Sequence, residues 1–352
     1  MGRIDQQTEQ AQRTQQARGF CREILPAVSR TFAVSIRILP GDLGSAVCCA
    51  YLLCRIADTI EDEPTLDAPA KAALFDSLTA CFGDSNHVDA FMASVASIDG
   101  DAANARLLRN SDLVFVAFAA LPERTRACVS HWVLEMIVGM RKFVLTYPRG
   151  VRIQSLDEYK EYCYYVAGTV GYLLTDLWQE YSPSIGAARY ALLRERCRAF
   201  AEALQTVNIL KDVARDAEHE NSIYIPEQLL RAHGSAHATI LADDRLQQNR
   251  EALATLIQLA WKDLDEATTY LLTIPRRAVS IRLFCALPLL FAYATLRDLT
   301  GTPDALARRV VVKISRSEVK SLTVLSVIGV LSNRALARLV ERARTKRLVL
   351  GW

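Results

Sequence analysis

The chain has 352 residues, of which 51% are apolar, with 15 Gly, 11 Pro and a formal net charge of +3. That length can bury a substantial core, and the composition excludes a disordered or collagen-like chain. A charge this small argues against nucleic acid as a partner. Nine cysteines without a paired CxxC grid read as reduced cytosolic thiols, and five histidines without ligand spacing argue against zinc.

In chain order, residues 1–20 are polar. The run Asp5-Gln6-Gln7-Thr8-Glu9-Gln10 lacks the apolar stretch of an export signal. This segment is expected to stand free of a catalytic domain over 21–345, with 346–352 as a tail. Apolar residues at three-four spacing predict helices over 42–62, 122–146, 156–181, 186–218, 245–273, 276–299 and 316–345. Breaks are expected at Pro40-Gly41, Pro64, Pro122, Pro148-Arg149-Gly150, Pro183, Pro226, Pro275 and Thr300-Gly301-Thr302-Pro303. No alternating strand and no Asn-Gly or Asp-Gly hairpin turn lies between apolar runs. The expected fold is all-α, a single domain with helices around a common interior. The run Leu322–Leu331 is roughly half the length needed to span a bilayer and reads as a core helix. A cytoplasmic protein that meets a membrane only at its surface is expected.

Two acidic clusters stand out. Asp58-Thr59-Ile60-Glu61-Asp62 and Asp212-Val213-Ala214-Arg215-Asp216 each end a long apolar helical stretch. Asp58 with Asp62, and Asp212 with Asp216, are four apart and so share a helix face. Pro64 must end the first helix, and the polar run 218–222 ends the second. Both clusters therefore fall at helix C-termini, where the macrodipole disfavours anions. A local rule broken twice points to a site. Asn208 and Gln205 extend the second stripe backwards along its helix. Asp58, Glu61, Asp62, Asn208, Asp212 and Asp216 offer hard oxygen ligands that suit Mg²⁺, or Mn²⁺ in its place, rather than a thiolate metal. A single such acid pair is most often a solvated face; two at helix ends are harder to dismiss. Arg30, Arg55, Lys211 and Arg215 lie close in sequence, either as ordinary ion pairs or as phosphate contacts.

Between the clusters, Tyr162, Tyr164, Tyr165 and Tyr172 accompany Gly168 and Gly171. Each glycine costs a helix about 1 kcal/mol relative to Ala, so each is expected to admit another backbone or a flat hydrocarbon. The aromatic stripe reads either as core or as π faces for a carbocation, with one phenol carrying a proton.

The segments Ser29–Phe32, Tyr51–Asp62, Tyr162–Gly171, Gln205–Asp216, Phe284–Pro288 and Val312–Ile314, in this order, resemble the squalene/phytoene synthase family, and squalene synthases in particular. The likeness runs from about residue 20 to 340. It implies an isoprenoid-synthase α-fold with a central cavity, and head-to-head joining of two farnesyl diphosphates. By this resemblance Asp58, Asp62, Asp212 and Asp216, with Glu61, bind Mg²⁺ and the diphosphates, and Tyr165 removes a proton and steers the cation. Ser29, Arg30, Phe32, Tyr51, Arg55, Gln205, Asn208, Lys211 and Phe284 fall where the family binds substrate or lines its cavity. Lys313 and Arg316 would meet the phosphates of NADPH, which reduces presqualene diphosphate to squalene. NADPH enters by resemblance alone, since no GxGxxG is present. Dehydrosqualene and phytoene synthases share both acid motifs without reducing, and a non-catalytic assembly factor of the same fold is a further alternative. Cavity-wall side chains decide between C15 and C20 substrates. In Asn221-Ser222-Ile223-Tyr224-Ile225-Pro226, Ser222 stands where the family usually places a flap arginine. The C-terminal membrane anchor of eukaryotic relatives has no counterpart in the sequence, which resembles a bacterial, soluble form.

Overall fold

The computed structural model describes residues 2–29, 32–99, 101–301 and 312–349, with the side chains of residues 2–7 left aside. It is helical throughout, and the described residues pair as strands only in one isolated bridge, Arg152 with Ile223. Internal contacts gather the chain into two compact units, Met1–Pro148 and Arg149–Trp352.

The first unit comprises α1 (Gly2–Val28), α2 (Phe32–Arg37), α3 (Gly41–Asp62), α4 (Ala68–Gly83), α5 (His87–Val95), α6 (Ala102–Arg109), α7 (Ser111–Ala119) and α8 (Glu123–Thr146). Its central helix is α3, which packs against α1, α4, α7 and α8. Leu52, Leu53, Ile56, Ala57 and Ile60 of α3 are fully buried. The helix stops at Asp62 because Glu63 turns extended (φ −66°, ψ 110°) ahead of Pro64. The next helix restarts on a side-chain cap, Asp67 accepting the N–H of Ala70 at 2.9 Å.

The second unit comprises α9 (Leu156–Cys163), a π turn (Tyr164–Gly168), α10 (Thr169–Tyr181), α11 (Ala187–Arg194), α12 (Cys197–His219), α13 (Glu227–Ala232), α14 (Leu246–Thr273), α15 (Val279–Gly301), α16 (Arg316–Gly329) and α17 (Asn333–Thr345). Here α12 is central, packed by α10, α14, α15 and the π turn. Ser155, Ser315 and Ser332 cap α9, α16 and α17 through the N–H groups of Glu158, Glu318 and Ala335.

The predicted helices appear within a few residues of their expected bounds, with three of them interrupted. The 156–181 stretch contains the π turn, 186–218 breaks at Glu195-Arg196, and 316–345 breaks before Ser332. The polar N-terminal segment, expected to stand free, is continuous with α1, in which Ala17 and Phe20 are buried. Among the described residues two helices, Gly41–Asp62 and Val279–Gly301, are long and apolar enough to cross a membrane, yet 61% and 78% of their most apolar stretches are buried within the protein.

Candidate active site

In the first unit the acid-bearing end of α3 is reached along a row of contacts. The Phe32 ring lies 5.9 Å from that of Tyr51. The Tyr51 hydroxyl accepts from Arg55 Nη2 at 3.1 Å, and Arg55 Nη1 stands 3.6 Å from Asp58 Oδ2. Burial pushes the Asp58 carboxyl above the ordinary carboxylate value, and Arg55 offsets this only in part. Burial also opposes the Arg55 charge, but Asp58, Tyr51 and Asp62 outweigh it and hold the guanidinium firmly protonated. Asp62 is exposed, whereas Glu61 next to it is buried. Ser29 is buried and accepts the N–H of Phe32 at 3.1 Å, so it caps α2. Arg30, expected to contact substrate, lies outside the described residues.

In the second unit α12 presents Gln205, Asn208, Asp212 and Asp216 along one face. Lys211 Nζ stands 3.1 Å from Asp212 Oδ2 and 3.4 Å from Asn208 Oδ1. Asp216 is 8% exposed and Asn208 is exposed, so the stripe runs from solvent into the protein towards its C-terminal end. The carbonyl of Asp216 accepts the N–H groups of Glu220 and Ser222, which closes the helix.

The tyrosines divide. Tyr162 is buried and stacks on Tyr224 at 4.9 Å and 27°, which makes it part of the core beneath the 221–226 segment. Tyr165 is half-buried in the π turn, edge-on to Tyr164 at 5.1 Å. Its carbonyl accepts the Thr169 hydroxyl at 2.7 Å. The rings of Tyr164 and Tyr172 are covered by Arg198 and Arg194, at 5.0 and 4.7 Å. Gly171 meets the backbone approach expected of it: a Cβ there would lie 2.2 Å from the Cys197 carbonyl oxygen at the start of α12.

Ser222 is buried and faces inward. Its hydroxyl accepts the N–H of Val151 at 3.1 Å and donates to the Glu220 carbonyl at 3.3 Å. The 221–226 segment is thereby stitched to residues 151–154, and Arg152 adds bonds to the carbonyl and side chain of Asn221. Phe284 is also deep in the core, edge-on to Trp178 at 5.2 Å. Lys313, just ahead of α16, and Arg316, its first residue, are both exposed.

One group was passed over in the sequence. Glu202 lies three residues before Gln205 on the same face of α12, bonded to Arg198 and 3.2 Å from the position a Gly168 Cβ would take. Extending the α12 stripe one turn backwards would have found it.

The acid clusters supply only oxygen donors, the chemistry of a hard divalent cation site. Among the described residues no three His, Cys, Asp or Glu side chains gather closely enough to hold a metal ion by themselves. Carboxylate pairs of this kind hold magnesium together with water and phosphate oxygens.

The squalene/phytoene synthase family model matches residues 25–318. The squalene synthase of Schizosaccharomyces pombe is 26% identical over 295 residues, 83% of this chain and 62% of that relative. The chain thus spans less than two thirds of the curated relatives it matches. The solved complex of TcSQS with the ligand BPH1237 superposes with a TM-score of 0.77 at 23% identity, covering 94% of this chain and 98% of that one. A dehydrosqualene synthase in complex with ligand gives 0.57 at 21% identity, over 95% and 98%. Those likenesses agree with the all-α isoprenoid-synthase fold, and the extent of the family match settles the assignment: the chain belongs to the squalene/phytoene synthase family.

Proposed function

We propose that the chain is a prenyltransferase that joins two farnesyl diphosphates head to head, through presqualene diphosphate, to squalene, with Mg²⁺ and NADPH, at the cytoplasmic side of the cell. The observation that carries this reading is the pair of carboxylate ladders, Asp58/Asp62 and Asp212/Asp216, each near a helix C-terminus with a cation beside it. Isolated carboxylates are disfavoured there, and a metal-bound diphosphate reverses the cost.

In this reading Asp58, Asp62, Asp212 and Asp216 hold magnesium, assisted by Glu61 and Asn208. Bound magnesium supplies the Lewis-acid pull on the departing diphosphate. Arg55 and Lys211 neutralise phosphate oxygens, exchanging their present carboxylate partners for them. The Tyr165 phenol removes the proton whose loss closes the cyclopropane, and the neighbouring aromatic faces stabilise positive charge. Phe32 and Tyr51 wall the hydrocarbon from water, which would quench a cation. Lys313 and Arg316 hold the cofactor phosphates, and NADPH, when bound, supplies the reducing equivalent.

A second reading stops before reduction, at dehydrosqualene or presqualene diphosphate. It is favoured by Ser222, a buried uncharged stitch where the resemblance leads one to expect a flap arginine. Incubation of purified protein with farnesyl diphosphate and Mg²⁺, with and without NADPH, followed by mass spectrometry of the products, separates the two. Squalene only with NADPH supports the first reading, and an NADPH-indifferent product supports the second. No turnover of farnesyl diphosphate would reject both.

A further inference from the structure

At the opposite end of α3 from Asp58, about 25 Å away along the helix axis at 1.5 Å per residue, the first unit contains a separate cavity of about 330 Å³. Arg18 and Arg22, four apart on α1, and Arg37, the last residue of α2, line it together with the first turn of α3. No carboxylate is among the lining residues. Glu23, beside Arg22 in sequence, is taken by Arg106 at 2.7 Å. No ion pair engages Arg18, Arg22 or Arg37 among the described residues. Arg18 is half-buried, and its Nε is sealed from solvent without an acceptor. A buried guanidinium N–H left unmade is costly, more so because the group is charged.

The α3 end of the cavity is also rich in donors. Pro40 precedes the helix and provides no side-chain cap, so the first N–H groups of α3 keep no side-chain partner. Gly41 takes a left-handed φ of +53°, and a Cβ on Gly44 would lie 2.4 Å from the Leu39 carbonyl oxygen. The chain therefore turns tightly into the helix beside the arginines. The only acid of that first turn is the exposed Asp42, which does not line the cavity.

We infer that this cavity binds the diphosphate group of a small molecule at a site separate from the acid clusters. Charge sets the class of ligand. Three guanidiniums and a helix N-terminus worth about +0.5, less Asp42, leave roughly +2.5. A single phosphate ester brings only about −1.5 to −2. Guanidinium forks match phosphate oxygens two at a time, and the size of the positive charge favours a multiply charged anion over a single carboxylate. Leu25, Ile36, Leu39 and Ala117 form an apolar part of the wall, so the anion is either free pyrophosphate or a diphosphate with a short carbon group.

The test is isothermal titration of the full chain with pyrophosphate and, separately, with isopentenyl diphosphate, both in EDTA so that no metal recruits them to the carboxylates. Saturable one-to-one binding is expected. Arg18→Gln should weaken it about tenfold and Arg18→Gln/Arg37→Gln about a hundredfold or more, in line with the loss of one and two charge-assisted contacts. Lys211→Gln should leave it unchanged. Tighter binding of isopentenyl diphosphate assigns an organic diphosphate, and tighter binding of pyrophosphate assigns the free anion. If Arg18→Gln unfolds, the exposed Arg37→Gln reads the same site alone, with about a tenfold loss expected. The inference is overturned if neither probe binds the wild type, if binding survives the arginine substitutions, or if Lys211→Gln abolishes it.

Discussion

Asp58 shows how one carboxylate can be read by two independent measurements. Burial raises its pKa, so the folded chain holds this proton more tightly than the unfolded chain does. Stability from this group therefore falls as pH rises from the ordinary Asp value of about 3.9 through the raised folded value. Asp58→Asn should abolish farnesyl diphosphate turnover while raising the thermal midpoint at neutral pH, and the midpoint gain should vanish in acid. A mutant that keeps full activity would remove Asp58 from metal binding. Asp216→Asn should likewise abolish turnover with the helical circular dichroism unchanged. Asp263 on α14 makes the same argument away from the acid clusters. Burial pushes its carboxyl up from 3.8 to about 6, with Lys262 and Lys160 opposing. Asp263→Asn should stabilise the protein by about 1–3 kcal/mol at pH 7, an increment lost below about pH 4 and measurable by denaturant unfolding across pH. Tyr165→Phe keeps the ring and removes the hydroxyl, so it should cut cyclopropane formation by two or more orders of magnitude. Normal product release from that variant would deny Tyr165 its proton-handling role.

At the scale of elements, the helices bearing the acids were legible because their apolar faces repeat over many turns and proline or polar runs stop them. The α3 bounds and the C-terminal end of α12 agree with expectation for that reason, whereas the expected 186–218 helix is broken ahead of Cys197. Short helices such as α5, α6 and α7 escaped notice, since two turns hold too few apolar repeats to separate from noise, and tertiary packing rather than propensity fixes them. The π turn was invisible too: no residue type marks it, and α-helical spacing misjudges which rings meet across it. Gly171 was readable as a close approach, but its partner was not, because the Cys197 carbonyl arrives from a different element. Gly171→Ala must displace that backbone, and it should cost about 1–3 kcal/mol in chemical denaturation. An unchanged midpoint would show that α10 and α12 can separate freely.

For the molecule as a whole, the sequence identified the family through scattered motifs but not the internal struts that hold each unit. Arg282 is wholly buried on α15, where it donates to the carbonyls of Val330 (2.8 Å) and Ile274 (2.5 Å) and to Asn333 Oδ1 (2.8 Å). Its sequence neighbours are apolar, so nothing local distinguishes it from a surface arginine. Arg282→Met leaves those acceptors buried and unmet, and it should destabilise the protein by about 3 kcal/mol or more, visible as a lower thermal midpoint with little change in turnover at low temperature. Arg297 acts similarly, bridging Asp298 and Glu318 at 2.9 Å each while donating to the carbonyl of Ala343. Such struts join residues dozens of positions apart, which is why they become visible only in three dimensions.

The π turn at Tyr164–Gly168 amounts to one surplus residue slipped into an otherwise regular spiral, with the Thr169 amide reaching back to the Tyr164 oxygen. Deleting Val166 would let the spiral reclose with the ordinary hydrogen-bond pattern, and because the wide turn already absorbs the surplus residue, the helix on either side would stay nearly in phase while Tyr165 is re-aimed within the closing turn. The bearing of the Tyr165 phenol against everything downstream thus hangs on a single insertion, which makes a one-codon deletion a sharper probe of that oxygen's placement than any side-chain replacement.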